Sequence, residues 1–114
     1  YPTPDGTCIR DYVDVRDLAE SHVVAAARAE AGAAAEVYNV GRGTGVSVRE
    51  VLAEVGRVTG AMLEPVVTPR RPGDPAVLVA SADRFREELG WSASYGLEDM
   101  VASAWSAWQA SPAR

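Results

Sequence analysis

A proline-rich loop that carries two arginines constrains this chain more than any other stretch. Residues 68–75 read Thr-Pro-Arg-Arg-Pro-Gly-Asp-Pro, so three prolines and a glycine fall within eight positions. Such a run fixes an extended, turn-rich path that neither a helix nor a central strand can absorb. Arg70, Arg71 and Asp74 lie on this path, and the planar donor fork of arginine matches phosphate oxygens. The loop is therefore either an anion clamp or a solvated surface turn.

The composition indicates one small globular domain and argues against several partners. The 114 residues carry a net charge of −5, which disfavours broad binding to nucleic acids or anionic membranes. No apolar run approaches the roughly 20 residues of a membrane span, and the amino terminus does not look like a signal peptide. The single Cys8 excludes an internal disulfide and suits a reducing compartment. We therefore expect a cytoplasmic chain.

Alternating strand and helix signals predict a small α/β (α+β) domain with three or four short strands and about four helices. The predicted strands cover residues 8–13, 36–40, 63–68 and 77–80. The predicted helices cover residues 15–31, 48–59, 82–89 and 97–109. Asp14, Ser47 and Ser81 are the predicted N-caps, and Ser47 forms a capping box with Glu50. Residues 1–114 are interpreted as a single unit.

Two of the predicted helices carry side chains that we expect to pack. The first helix has one face of small and apolar residues, made of Leu18, His22, Ala25, Ala26 and Ala29. The last helix has an apolar stripe with helical spacing, made of Leu97, Met100, Val101, Ala104, Trp105 and Trp108. Core packing, or packing against another domain, explains these tryptophans better than a cofactor or base-stacking role.

The glycine-rich stretch 41–45 is a weak candidate for a phosphate loop. Three glycines fall within five residues there, between a predicted strand and a predicted helix. The stretch lacks the Lys-Ser/Thr ending of a P-loop and does not follow the spacing of dinucleotide-binding loops. A flexible turn is the better interpretation.

The sequence contains side chains that could bind an anion, but no evident acid/base pair or metal cluster that could catalyse a reaction. Arg10 lies between a strand signal and two side chains, Asp11 and Tyr12, that could orient it. Together with the Arg70/Arg71 pair and Asp74 it would grip a diphosphate from both sides. The alternative is surface ion pairing of Arg10 with Asp11 or Asp14 and of Arg71 with Asp74, at about 1 kcal/mol or less each. His22 has no partner in the sequence that would make it an acid or base, and no metal cluster is evident.

Four ordered motifs resemble those of the UDP-glucose 4-epimerases, which belong to the extended short-chain dehydrogenase/reductase family. Residues 6–19 resemble the Asp-Gly-Thr, Arg-Asp-Tyr and Asp-Leu-Ala signature of that family. Residues 37–41 and 47–51 resemble its Tyr-Asn-Leu-Gly strand and the helix that follows. Residues 69–76 resemble its Pro-Arg-Arg-X-Gly-Asp loop, and residues 88–91 complete the set. The resemblance implies the carboxy-terminal, substrate-binding part of an extended short-chain dehydrogenase/reductase fold.

The resemblance also implies roles for particular residues. Arg10 and Arg71 would contact the diphosphate of UDP, Asp74 would reach the ribose, and Arg70 would be structural or peripheral. Tyr12, in the Arg-Asp-Tyr motif, completes the predicted UDP-sugar-binding set. The chain has Asp14 where that family usually has histidine, although aspartate is an acceptable N-cap.

The parts of that family that carry chemistry do not occur in this sequence. The glycine-rich NAD fingerprint is missing, and the Tyr-X-X-X-Lys catalytic motif is impossible because the chain contains no lysine. We therefore expect the amino-terminal Rossmann half to be absent, and the segment alone to be inactive and to bind no cofactor. In the parent enzyme, NAD in the missing half would oxidise and then re-reduce C4 of the sugar. The parent is expected to be a homodimer.

Two other interpretations remain open. The chain could come from a nucleotide-sugar 4,6-dehydratase or decarboxylase of the same family. It could instead be a free-standing interaction module that uses the Trp105/Trp108 face and the arginine-proline loop for protein partners. A module predicts a compact monomer, whereas a fragment with uncovered apolar surface predicts self-association or domain exchange.

Overall fold

The computed structural model describes residues 1–32 and 35–111, and within them it confirms the predicted α/β class. Three two-residue strands and four helices form along the described residues; each strand is followed by a helix, and the last two helices are consecutive. The strands are β1 (Ile9–Arg10), β2 (Val46–Ser47) and β3 (Val77–Leu78). The helices are α1 (Val15–Glu30), α2 (Val48–Thr59), α3 (Asp83–Leu89) and α4 (Leu97–Ala110).

The sheet places β1 in the centre, in the order β2-β1-β3. β1 runs antiparallel to β2 and parallel to β3, with Ile9 opposite both Ser47 and Val77. The Ile9 amide donates to the carbonyl of Ala76 at 2.8 Å, just before β3 begins. This register brings Arg10 close to the end of the arginine-proline loop, although more than sixty residues of chain separate them.

Local capping signals in the sequence locate the first turns of α1 and α2 correctly. The Asp14 carboxylate accepts from the Arg16 amide at 2.8 Å and begins α1. Ser47 and Glu50 form the predicted capping box at the start of α2, and Gly60 ends that helix with a φ of 73°. Glycine meets no steric penalty at such a positive φ, which is why it is favoured at this position.

The prediction of which face of α1 packs is wrong. His22, Ala25, Ala26 and Ala29 are exposed, and Leu18 is only half-buried. The buried residues of α1 are instead Asp17 and Ser21, because a hydrogen-bonded carboxylate fixes this helix against the loop that precedes α4. A search for apolar side chains cannot find a packing face that is polar.

The helix predicted from residue 82 begins one residue later than expected. Ala82 occupies the N-cap position without a side-chain hydrogen bond, and the Ser81 hydroxyl lies 3.4 Å from the Asp83 amide. The apolar centre of this region is Phe85, which is 1% exposed. Its ring packs between Tyr38 and Trp91, at centroid distances of 5.1 and 5.3 Å.

Two predicted strands do not form. Residues 36–40 and 63–68 adopt no strand, although Val37, Val66 and Val67 have high β-propensity. All three side chains are more than 80% exposed, so neither segment packs on an apolar surface of the described residues. A strand requires a neighbour for its backbone hydrogen bonds, and neither segment pairs with the three strands of the sheet. Propensity alone therefore does not make these segments strands.

Within residues 1–32 and 35–111, no helix has both the length and the hydropathy required to cross a bilayer.

Candidate functional site

The structure brings Arg10 and Arg71 together on one carboxylate, that of Asp74. Arg10 Nη2 donates to Asp74 Oδ1 at 2.6 Å, and Arg71 Nη2 donates to Oδ2 at 3.2 Å. The parallel pairing of β1 with β3 positions Arg10, while a turn in which the Asp74 amide donates to the Arg71 carbonyl positions the other two. Gly73 has a φ of 80° in this turn, which explains the glycine of the loop. We call Arg10, Arg71 and Asp74 the arginine cluster.

Two further side chains, Tyr1 and Arg70, contact Asp74, and the sequence analysis did not assign Tyr1 to a site role. The Tyr1 hydroxyl donates to Asp74 Oδ2 at 2.7 Å. Arg70 donates to the Asp74 carbonyl at 2.5 Å, and its guanidinium carbon lies 4.6 Å from the centroid of the Tyr1 ring. Arg70 therefore holds the backbone of the cluster, in keeping with the structural role expected for it. No signal in the sequence pointed to Tyr1, because only the tertiary structure places it beside Asp74.

The donors around Asp74 keep it ionised. The hydroxyl of Tyr1, then Arg71 and Arg10, lower the pKa of Asp74 from 3.8 to about 2. The same contact raises the pKa of Tyr1, because its phenolate would face the Asp74 carboxylate. The cluster therefore keeps a fixed charge pattern at neutral pH, with two guanidinium groups on one carboxylate.

The two arginines that bind the Asp74 carboxylate differ in the exposed fraction of their side chains. The side chain of Arg10 is 22% exposed and that of Asp74 is 16% exposed, whereas that of Arg71 is 83% exposed. An exposed ion pair contributes little to stability and is readily exchanged for another partner. Arg71 can therefore leave Asp74 for an incoming anion, while Arg10 stays near its place in the sheet.

Tyr12 does not lie in the arginine cluster. It lines an apolar groove between α2 and α4 with a volume of about 380 Å³. The other residues that line this α2–α4 groove are Val51, Val55, Thr59, Leu97, Met100, Val101, Ala104, Trp105 and Trp108. The predicted stripe of the last helix thus faces the groove. Its outermost tryptophan, Trp108, remains 75% exposed, so only part of the stripe is covered.

The Asp11 carboxylate binds the backbone of the glycine-rich stretch and does not pair with Arg10. Its carboxylate accepts from the amides of Arg42, Gly43 and Ala80 at 3.0, 3.0 and 3.3 Å. A Cβ on Gly41 would lie 2.6 Å from Asp11 Oδ2, so glycine is needed for this close approach. Two amides that a phosphate loop would offer to a ligand are already bound to a carboxylate. The structure therefore favours the turn interpretation of residues 41–45.

The ion pairs predicted as the alternative for Arg10 are wrong. Asp14 binds Arg16 at 2.9 Å instead, and that guanidinium lowers the pKa of Asp14. Asp14 is 2% exposed and serves as the N-cap of α1, so the aspartate fits where histidine is usual in the resembled family. The predicted pair of Arg71 with Asp74 does form, as part of the cluster.

The other reactive side chains do not build a catalytic centre within the part of the chain that the structure describes. His22 is exposed on α1, with Nδ1 2.7 Å from the Leu18 carbonyl oxygen. Cys8 is a half-buried free thiol. Among the described residues no three His, Cys, Asp or Glu side chains converge in a way that could hold a metal ion. The geometry supports anion recognition by arginine.

The comparisons with known proteins agree with the motifs. The chain is 50% identical to the UDP-glucose 4-epimerase of Streptomyces lividans over 111 residues, which cover 97% of this chain and 33% of that protein. It is 45% identical to the enzyme of the same name from Azospirillum brasilense, with 97% and 32% covered. The chain therefore spans about a third of the length of these curated relatives.

Solved structures show the same relationship in three dimensions. A UDP-glucose 4-epimerase from Stenotrophomonas maltophila, with bound NAD and formylated UDP-arabinopyranose, matches with a TM-score of 0.90 and 39% identity. The match covers 96% of this chain and 33% of that one. The enzyme from Bifidobacterium longum in complex with NAD+ and UDP matches with a TM-score of 0.81 and 41% identity, over 91% and 31%. The family model described as GDP-mannose 4,6 dehydratase matches residues 2–104, so the chain belongs to that family, and the members that it resembles are UDP-glucose 4-epimerases.

Proposed function

We propose that this chain binds the diphosphate of a UDP-sugar and is the substrate-binding part of a UDP-glucose 4-epimerase. The observation that carries the proposal is the meeting of Arg10 and Arg71 on the Asp74 carboxylate. Two guanidinium groups that hold one carboxylate between them are close enough to bind the adjacent phosphates of a nucleotide. The curated relatives named UDP-glucose 4-epimerase, and solved relatives with bound UDP or a UDP-sugar, support this choice of ligand.

The role of each residue follows from its surroundings. Arg10 is held by β1 and is mostly buried, so it provides the fixed half of the diphosphate site. Arg71 is exposed and provides the half that moves from Asp74 to the ligand. Asp74 stays ionised at neutral pH and is then free to accept from ribose hydroxyl groups. Tyr12 was expected to contact the ligand, but its position in the α2–α4 groove gives it no direct part in this scheme.

The described residues do not fit a site for NAD. The sequence has no Gly-X-Gly-X-X-Gly element, and Asp11 occupies two amides of the one glycine-rich stretch. Residues 1–114 would therefore form one unit that binds UDP-sugar, and NAD would be held elsewhere in a longer, homodimeric, cytoplasmic parent. The proposed contribution of this chain is to hold the nucleotide while the sugar is turned over.

A 4,6-dehydratase of nucleotide sugars is the second candidate, because the matching family model has that description. Epimerisation is preferred, since curated relatives at 45–50% identity are named UDP-glucose 4-epimerase. A full-length parent assayed with UDP-galactose and with dTDP-glucose separates the two reactions. Conversion of dTDP-glucose alone would replace the epimerase assignment with the dehydratase.

Calorimetric titration of the purified chain with UDP tests the binding site directly. A few charge-assisted hydrogen bonds work against a large association cost, so we expect a Kd of about 1 mM or weaker. Arg71→Ala should weaken binding about tenfold or more, because each such bond contributes about 1.5–3 kcal/mol. Arg49→Ala, at an exposed arginine of α2, is the matched control and should leave binding unchanged. Micromolar UDP binding that survives Arg71→Ala would refute the assignment, as would equal binding of uridine, which has no phosphates.

A further inference from the structure

A second polar cavity lies apart from the arginine cluster. Its volume is about 430 Å³, and residues 41–43, 80–83, Arg86 and 91–93 line it. Arg10, Arg71 and Asp74 do not line it. A volume of this size is in the range of small-molecule sites. We call it the Arg42 cavity.

Two side chains that line the Arg42 cavity each have a buried donor without an acceptor among the described residues. These donors are Nη1 of Arg42 and the indole Nε1 of Trp91. Trp91 is only 3% exposed, so bulk water does not readily satisfy its N–H group. A buried donor left unpaired costs about 1–3 kcal/mol, and more when it is charged. Buried polar groups without a partner are rare in folded proteins, so two such groups on residues that line one cavity call for an explanation.

The charges around the cavity leave Arg42 uncompensated. Its backbone amide is held by Asp11, which fixes the point from which its side chain extends. None of the ion pairs within residues 1–32 and 35–111 includes Arg42. The one carboxylate that lines the cavity, Asp83, is bound by Arg86 at 2.7 Å and by the Ser81 hydroxyl at 2.7 Å. The lining therefore has an excess of positive charge and of donors.

We propose that the Arg42 cavity is a binding site for a small oxyanion, a phosphate or carboxylate group. An oxyanion brings acceptors and negative charge, which are what the two unpaired donors and the free guanidinium lack. The site is separate from the proposed UDP-sugar site, so one can be right when the other is wrong. It does not use the amides of the glycine-rich stretch, since Asp11 already binds those of Arg42 and Gly43.

The indole N–H signal of Trp91 in a ¹H–¹⁵N NMR spectrum reports directly on the cavity. The chain has three tryptophans, and Trp91→Phe identifies which of the three indole signals belongs to the site. The purified chain is titrated with inorganic phosphate and, separately, with acetate, at constant ionic strength set by sodium chloride. We expect a saturable downfield shift with at least one of the two anions, at a Kd of about 1–10 mM. Saturation by phosphate alone, or by acetate alone, identifies the class of oxyanion.

Variants decide whether the response belongs to the Arg42 cavity. Arg42→Gln keeps the backbone amide that Asp11 binds and should weaken the response about tenfold or more. Arg49→Gln is the matched control and should respond like the unmodified chain. Arg71→Gln should also respond normally, because Arg71 does not line this cavity. The proposal is overturned if neither anion gives a saturable shift, if Arg42→Gln responds as strongly as the unmodified chain, or if Arg71→Gln abolishes the response.

Discussion

Asp17 and Asp74 both accept hydrogen bonds from distant parts of the chain, but their donors are of different kinds. Asp17 is 0% exposed and accepts from the backbone amides of Ser94 and Tyr95 at 2.9 and 3.0 Å. Asp74 is partly exposed and accepts from the side chains of Tyr1, Arg10 and Arg71. Backbone amides cannot move away without unfolding the loop, whereas an exposed guanidinium can rotate to another anion. The first arrangement therefore fixes the fold, and the second is suited to exchange partners with a ligand.

Asp11 resembles Asp17 in the kind of hydrogen-bond donor that its carboxylate binds. Its three donors are also backbone amides, and they join the glycine-rich stretch to the residue that follows Val79. Together the two carboxylates connect segments that few buried apolar side chains hold in place. Among the described residues, only Val46, Phe85 and Trp91 form the buried hydrophobic core. Hydrogen bonds from backbone amides to Asp11 and Asp17 thus hold together segments that apolar packing would hold together in a larger domain.

Removing the buried anchor should have the largest effect on stability. We expect Asp17→Ala to lower the free energy of unfolding by about 3 kcal/mol, because two buried amides lose their acceptor and a small cavity is left. Urea denaturation followed by circular dichroism measures the change. Glu20→Ala, at an exposed carboxylate of the same helix, is the matched control and should change stability by less than about 0.5 kcal/mol. Equal effects of the two substitutions would remove the distinction between anchoring and exchangeable carboxylates.

Crowding the second anchor should have an intermediate effect. In Gly41→Ala the new Cβ would lie 2.6 Å from Asp11 Oδ2 and 2.9 Å from the Ala80 Cβ, so the glycine-rich stretch must move. We expect a loss of about 1–3 kcal/mol in thermal or urea unfolding, as for other overpacked sites. In Gly96→Ala the nearest atom would be 3.7 Å away, so this control should have a much smaller effect. A Gly41→Ala protein as stable as the control would show that Asp11 does not fix the stretch tightly.

Titrating the exchangeable carboxylate should have the smallest effect. The folded pKa of Asp74 is about 2, below its ordinary value of 3.8. Its contribution to stability is therefore present above about pH 4 and is lost as the pH falls towards 2. Asp74→Asn removes this titration, so the stability of the variant should decline less between about pH 4 and pH 2 than that of the unmodified chain. Urea unfolding at a series of pH values measures both declines, and identical slopes would contradict the role of Asp74 as the ionised centre of the cluster.

Some predictions from sequence succeeded because their signals are local. The cap at Asp14, the capping box at Ser47 and the stop at Gly60 each depend on contacts within about four residues. The predictions for residues 36–40 and 63–68 failed because a strand depends on a partner that propensity does not supply. The packing face of α1 was missed for a related reason. Its buried residues are polar, and their burial depends on donors from the loop before α4.

The sequence by itself determined the helix boundaries to within one residue, the α/β class and the family, and it selected Arg10 and Arg71 as candidate diphosphate contacts and Asp74 as a candidate ribose contact. These follow from patterns that neighbouring residues set. Only the tertiary structure decided that the three side chains meet, that Tyr1 joins them, that Tyr12 lies in the α2–α4 groove, and that Arg42 has a buried donor without an acceptor among the described residues. Such contacts join residues that are far apart in the chain, and the pairing of β1 with β2 and β3 sets the distances between them.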